Sequence, residues 1–193
     1  MITDEFAQLL DDPVVCAKRL LGCQLVMQHD TASICLKIVE TEAYHQSDAA
    51  SHSYKGKTPR TDVMFGPPGY LYVYFTYGMH YCMNVVTGSE GEGSAVLIRA
   101  VEPLSSWELL RSNRPGLPDK QLTNGPAKLC KALAIDTSWN GHDLKAKPLQ
   151  LQMQPSLKDE EIVQTTRIGI SQAQDKPWRF YIRDNPYVSK LAK

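Results

Sequence analysis

No apolar run in this sequence approaches the ~18–20 residues that a membrane-crossing helix needs. Cysteine is sparse and unpatterned. The five, at Cys16, Cys23, Cys35, Cys82 and Cys130, form no C-x-x-C pair, which argues against a disulfide framework or zinc ribbon and for reduced, mostly buried thiols. There is no G-x-S-x-G elbow and no Walker-type lysine, so neither a hydrolase nucleophile elbow nor a P-loop is present. Repeats, low-complexity tracts and linkers are also missing. The amino terminus, MITDEFAQLLDDP, is acidic where a secretory signal is basic, so a cytosolic protein is expected. Net charge is zero, which disfavours a nucleic-acid partner at first sight.

The charge is unevenly spread, however. Residues 1–50 hold eight acids against three bases, while SHSYKGKTPR (51–60) holds three bases and no acid. From Arg167 onward there are six bases and two acids, enough to form a local basic face of the kind phosphate contact requires.

The organisation suits one mixed α/β domain with a largely antiparallel sheet. Asp12-Pro13 before VVCAKRLL and Gly22 reads as a helix with cap, first-turn proline and glycine terminator. CQLVMQH and ASICLKIVETEAY read as strands joined by a tight turn at Asp30-Thr31. Residues 45–68 lack periodicity and are expected to be a long, functional loop. Strands are expected at about 69–77 and 80–87, then a GSEGEG turn and the strand SAVLIRAVE. Ser105-x-x-Glu108 reads as a capping box opening a short helix. A second long loop, 113–123, leads to Asn124-Gly-Pro126 and the helix AKLCKALAI; short strands ending in RFYIR complete the chain.

Three places carry chemistry. In VETEAY, Val39 to Tyr44, strand alternation puts Glu40, Glu42 and Tyr44 on one face. By pattern alone that face is solvent. Paired carboxylates also serve glycoside hydrolysis, but those flank a substrate from opposite sides, and same-strand neighbours point in parallel. His52 is open to three readings: a metal ligand, half of an Asp48–His52 pair, or a hydrogen-bonding or stacking loop residue. No second His or Cys lies at ligand spacing, which weighs against metal. In LYVYFTYGMHYCMN, Tyr70, Tyr72 and Tyr74 share one strand face, and Tyr77 sits at the bend beside Gly78. Tyr77 either packs on a neighbouring loop or stands exposed as a wedge for insertion between base pairs.

These segments, with D-x-x-x-H-S at Asp48 to Ser53, TPR and MF at Thr58 to Phe65, VLIRAVEP, NGPAKLCKALAI, RIGI and RFYIRDNPYVS, resemble in order the alkyladenine (3-methyladenine) DNA glycosylase family of the mammalian type. The resemblance spans about residues 13 to 189. It implies a single α/β domain around a curved antiparallel sheet, with a protruding β-hairpin. It also implies a monofunctional enzyme that flips alkylated purines from double-stranded DNA and hydrolyses the N-glycosidic bond, leaving an abasic site. Glu42 then matches the general base and Arg99 the arginine that helps hold the attacking water. Tyr44 and His52 line one side of the flipped base and Tyr74 the other. Asn84 lies at the pocket floor, and Tyr77 intercalates. Met79, Thr58 and Arg60 are further DNA contacts on this reading, and Glu40 is structural.

No metal or organic cofactor is implied, nor any membrane, and a monomer is expected. Because the chain lacks the long amino-terminal extension of mammalian members, a bacterial, cytoplasmic, nucleoid-associated protein is expected. His80 departs from the mammalian pattern, which has an aromatic there. Electron-rich rings should favour cationic alkylpurines by ~0.5–2 kcal/mol per contact. Two alternatives share much of this equipment: a hydrolase of free nucleosides, with no need of an exposed Tyr77, and a damage-binding protein without catalysis.

Overall fold

A long central strand organises the molecule, whose computed structural model describes residues 6–29 and 32–192. The turn expected at Asp30-Thr31 lies outside the described residues. Strand β1 (Gln24–His29) pairs antiparallel with the first half of β2 (Ala32–His45). Strands β3 (Leu71–Thr76), β4 (His80–Val86) and β5 (Ser94–Pro103) extend the sheet from the other edge of β2. Strand β6 (Leu149–Gln152) adds to β1. Strand β7 (Ile162–Thr165) pairs with β8 (Arg179–Ile182), and β8 pairs with the second half of β2. The result is an eight-stranded, curved, open antiparallel sheet, as the sequence led us to expect.

Local chemistry explains the helices. Helix α1 (Pro13–Arg19) begins where Asp12 accepts the Val14 N–H at 2.7 Å, and it packs Cys16 and Ala17 into the core. Thr41 Oγ1 donates to the Ala17 carbonyl at 2.8 Å, tying this helix to β2. Helix α2 (Glu108–Asn113) does not use the expected capping box. Ser105 Oγ instead accepts the Cys35 N–H at 3.3 Å, because the chain continues along the β2 edge past Pro103. Helix α3 (Pro126–Ala132) stops short of Ile135, where Ala134 takes a left-handed conformation.

The main core gathers alternate residues of the sheet, such as Leu25 opposite Leu36 and Met27 opposite Ile34, under α1 and α3. A second, smaller cluster of Met64, Phe65, Tyr72, Val86 and Ala95 lies beneath residues 45–68. That segment is more ordered than its composition suggests, with 3₁₀ turns at His52–Lys55 and Asp62–Phe65. Gly93 permits its close seating: a Cβ there would meet the Phe65 ring at 2.6 Å and Ser53 Cβ at 2.7 Å. All five cysteines are free thiols, and only Cys35 is not fully buried. Among the described residues, no helix is long and apolar enough to cross a membrane.

Candidate active site

The glutamate face of β2 is not solvent: both Glu40 and Glu42 are wholly buried. The cover comes from far along the chain. Ile168 and Ser189 each donate a backbone N–H to one of the two carboxylates, a relation that strand periodicity does not reveal. At this point β2 exchanges β1 for β8 on one edge, and its register with β5 shifts on either side of Glu40, leaving Val39 and Arg99 without ladder partners. Such irregularities re-aim side chains. Here the guanidinium of Arg99 reaches both acids, with Nε 2.9 Å from Glu40 and Nη1 3.2 Å from Glu42.

Glu42 has three polar partners. Its Oε1 accepts from the Ile168 N–H at 2.8 Å and is ion-paired with Arg99, and its Oε2 accepts from the Tyr44 hydroxyl at 2.8 Å. Burial pushes its pKa up, against the opposing pull of Arg99, the Ile168 N–H and Tyr44. Burial lowers the Arg99 pKa, but Glu42 and Glu40 outweigh it and the net shift is upward, so the guanidinium stays charged. Tyr44 is shifted upward by burial and by the Glu42 charge, which keeps its hydroxyl a donor.

In front of this group lies a cavity of about 430 Å³. Tyr44, Arg99 and Ile168, the three polar partners of Glu42, all line it, and Glu42 sits directly behind them. The expected residues His52, Tyr74, Tyr77 and Asn84 line it as well. Asn84 is buried and donates from Nδ2 to the Tyr72 carbonyl at 3.0 Å, which fixes its amide. Tyr72 stacks on Tyr74, with centroids 5.6 Å apart, and its hydroxyl shares a hydrogen bond with His52 Nδ1 at 3.0 Å. His52 stands exposed at the rim, crowded on its inner side by these rings. That crowding, helped by the Arg60 charge, lowers its pKa to about 4, so the imidazole is neutral at physiological pH.

Asp48 does not pair with His52. It forms a buried ion pair with Arg167, whose guanidinium also lies 4.7 Å from the Tyr44 centroid. The expected basic face from Arg167 onward is therefore smaller than its composition suggests, since Arg167 and Arg179 are both buried against acids. Sequence reasoning assigned no role to Tyr72, Arg167 or Ile168. The Ile168 contribution is a backbone N–H, which leaves no mark in residue type.

At the hairpin tip, Tyr77 (φ 51°) and Gly78 (φ 69°) are the central residues of a turn closed by the Met79 N–H on the Thr76 carbonyl. Glycine is at ease there, whereas an aromatic in the left-handed region is uncommon. Tyr77 is 80% exposed and Met79 71%. The tyrosine therefore does not pack on a neighbouring loop. Thr58, Arg60 and Met79 lie outside the cavity lining. Thr58 is held within its own loop by Thr61, and Arg60 is exposed, 5.8 Å from the Tyr74 centroid.

A buried carboxylate behind an aromatic cavity, beside a projecting aromatic hairpin, is joined by a match along the chain. The family model for Methylpurine-DNA glycosylase (MPG) matches residues 7–186. The chain belongs to the methylpurine-DNA glycosylase family. It is accordingly a DNA glycosylase. Among its relatives, a Carboxydothermus hydrogenoformans protein named "Putative 3-methyladenine DNA glycosylase" is 53% identical over 180 residues, which is 93% of this chain and 94% of the relative. Proteins of the same name from Methanoculleus marisnigri and Francisella tularensis subsp. tularensis are 48% and 50% identical, covering 93% and 90% of this chain and 94% and 92% of theirs.

Proposed function

We propose that this glycosylase removes 3-methyladenine and related alkylated purines, 7-methylguanine among them, from duplex DNA. It flips the damaged nucleotide into the 430 Å³ cavity and hydrolyses its N-glycosidic bond with Glu42 as general base. The observation that carries this is the donor set on Glu42. The Ile168 N–H and the Tyr44 hydroxyl are its hydrogen-bond donors and Arg99 is ion-paired with it at 3.2 Å, so of about four acceptor positions at least one is left for a water. A water held there would be activated on the cavity side. Arg99 steadies that water, and Tyr44 keeps the carboxylate aligned.

Extrusion costs a few kcal/mol of stacking and pairing, least for damaged or mispaired bases. Tyr77 offsets part of that cost by filling the gap, with Met79 beside it on the minor-groove side. Thr58 and Arg60 meet the backbone near the rim. A cationic alkylpurine departs without being protonated, so one carboxylate suffices where sugar hydrolases use two. The Arg167 guanidinium is already seated on Tyr44, so preference for cationic bases owes more to this leaving-group chemistry than to ring affinity. A neutral His52 stacks on such a base without charge repulsion, and Asn84 at the floor obstructs a guanine amino group, which makes 7-methylguanine a slower substrate than 3-methyladenine and disfavours undamaged guanine more strongly. Neutral lesions, hypoxanthine and ethenoadenine, are the harder substrates on this reading. The enzyme acts as a monomer in the cytoplasm at the nucleoid and leaves the abasic site uncleaved, since no lysine lines the cavity among the described residues.

The test is incubation with methylated duplex DNA followed by chromatography of released bases, alongside Glu42→Gln. Release of 3-methyladenine by the natural enzyme and its loss in the variant, with lesion-duplex binding retained, is the expected result. Binding should also weaken by roughly 0.9 log units per log unit of salt for each phosphate neutralised. Absence of base release from the natural enzyme would refute the reading.

A further inference from the structure

Glu40 is a buried carboxylate that the mechanism above does not use. Four donors converge on it. Arg99 Nε (2.9 Å), Arg179 Nε (2.7 Å) and Ser189 Oγ (2.9 Å) reach Oε1, and the Ser189 N–H (2.7 Å) reaches Oε2. Ser189 Oγ accepts in turn from Arg99 Nη2 at 3.4 Å. Arg179 extends the network by donating to the Lys190 carbonyl, and its guanidinium lies 4.9 Å from the Tyr181 centroid. The Tyr181 hydroxyl accepts the Ala192 N–H at 3.1 Å. The end of the chain is therefore stitched to the same carboxylate that holds Arg99.

Burying so many charges is costly, and apolar residues of similar volume would often serve a strand crossing better. The network balances two acids, Glu40 and Glu42, against two guanidinia, Arg99 and Arg179. All three polar partners of Glu42 line the cavity, whereas Arg99 alone does so among the donors to Glu40. Glu40 thus lies one residue farther from the chemistry than Glu42 and reaches it through the shared arginine.

We propose that Glu40 is a positioning residue for the base-release reaction, fixing Arg99 against Glu42, and that Ser189 near the carboxyl terminus locks Glu40 in place. This rests on the reading of Glu42 as general base. Each acid checks the other through Arg99. Without the Glu40 charge, the arginine would lean wholly on Glu42 and hold it too tightly to act as a base. Glu40 also contributes directly to the upward shift of Glu42 by like-charge repulsion.

The experiment compares Glu40→Gln and Ser189→Ala with the natural protein in two assays: steady-state base release against pH, and 13C NMR titration of the Glu42 carboxylate, assigned with Glu42→Gln. Glu40→Gln should lower kcat roughly tenfold to a hundredfold with KM little changed, as misplacement of a catalytic group does. It should also move both the acid limb and the Glu42 titration to lower pH. Ser189→Ala, which keeps all charges, should lower kcat by roughly threefold to tenfold without moving either midpoint. Unchanged kcat in Ser189→Ala, or a folded Glu40→Gln with natural kcat and an unmoved Glu42 titration, would overturn the proposal. If Glu40→Gln does not fold, Ser189→Ala alone decides it. The NMR arm needs no substrate. Absence of base release would therefore strike the functional reading, whereas an unresponsive Glu42 would strike only this one.

Discussion

His52 meets Tyr74 edge-to-face, with ring centroids 4.5 Å apart and planes at 81°. A flat base held between two ring faces needs about 7 Å, twice an ordinary contact distance of ~3.5 Å. The slot expected between these residues is therefore closed in the free protein, so under the proposed function His52 would swing outward from the rim as a purine enters. Tyr74, stacked on the buried Tyr72, is the fixed wall.

It follows that His52→Ala should weaken lesion capture more than chemistry. Loss of one aromatic contact is worth about 0.5–1.5 kcal/mol. Single-turnover measurements should show the half-saturating enzyme concentration rising by roughly 2- to 12-fold, with the maximal rate changed far less. A selective fall in maximal rate would place His52 in the chemical step instead.

Glu42→Gln removes the proposed base but keeps the shape. General-base catalysis contributes typically 10²–10⁴-fold, so base release should fall by roughly that factor. Affinity for a duplex carrying a stable abasic analogue should persist, measured by fluorescence anisotropy.

The rate should fall on the acid side as Glu42 takes up a proton. Its pKa is raised by burial, so the midpoint should lie above the ordinary glutamate value of about 4.3. Stability has its own dependence through His52, whose pKa is lowered to about 4 in the fold from about 6.5 when unfolded. Between those values the unfolded chain binds more protons, so this contribution is present above pH 6.5 and is lost as pH falls toward 4. The exposed side of the ring reduces its size. Urea titrations of His52→Asn and the natural protein at pH 7 and pH 5 should show the natural protein losing more of its stability.

Tyr77→Ala should slow release from duplex DNA while leaving release from single strands near the natural rate, because only the duplex has a stack to open. Stability should barely change, since the side chain is solvent-exposed at the tip. A variant equally unimpaired on duplex and on free nucleoside would favour a hydrolase of free nucleosides.

Arg167→Met leaves Asp48 buried with Lys176, at 3.7 Å, as its ionic partner among the described residues, beside the Ala50 N–H at 3.3 Å. Removing one member of a buried pair costs about 3–5 kcal/mol. Thermal melting should show that loss, and adding Asp48→Asn should restore much of it.

The sequence by itself determined most of the elements and pointed to the residues that gather at the cavity. Alternation in CQLVMQH and ASICLKIVETEAY set the strands, Asp12-Pro13 set α1, and VETEAY with LYVYFTYGMHYCMN named the acid, the rings and the tip. These are local signals, fixed by period and by backbone preference. What surrounds them was decided only in three dimensions. Glu40 and Glu42 have the alternation of an exposed face, yet residues more than a hundred positions away seal them in, through the backbone N–H of Ile168 and of Ser189. Ser105 has a capping pattern, yet a strand edge claims its hydroxyl. Arg167 and Arg179 count as surface charge by composition, yet each is drawn inward by a buried acid. A side chain's period depends on its own strand, but its partners depend on which distant segment the packed chain brings beside it, and that choice has no local signature.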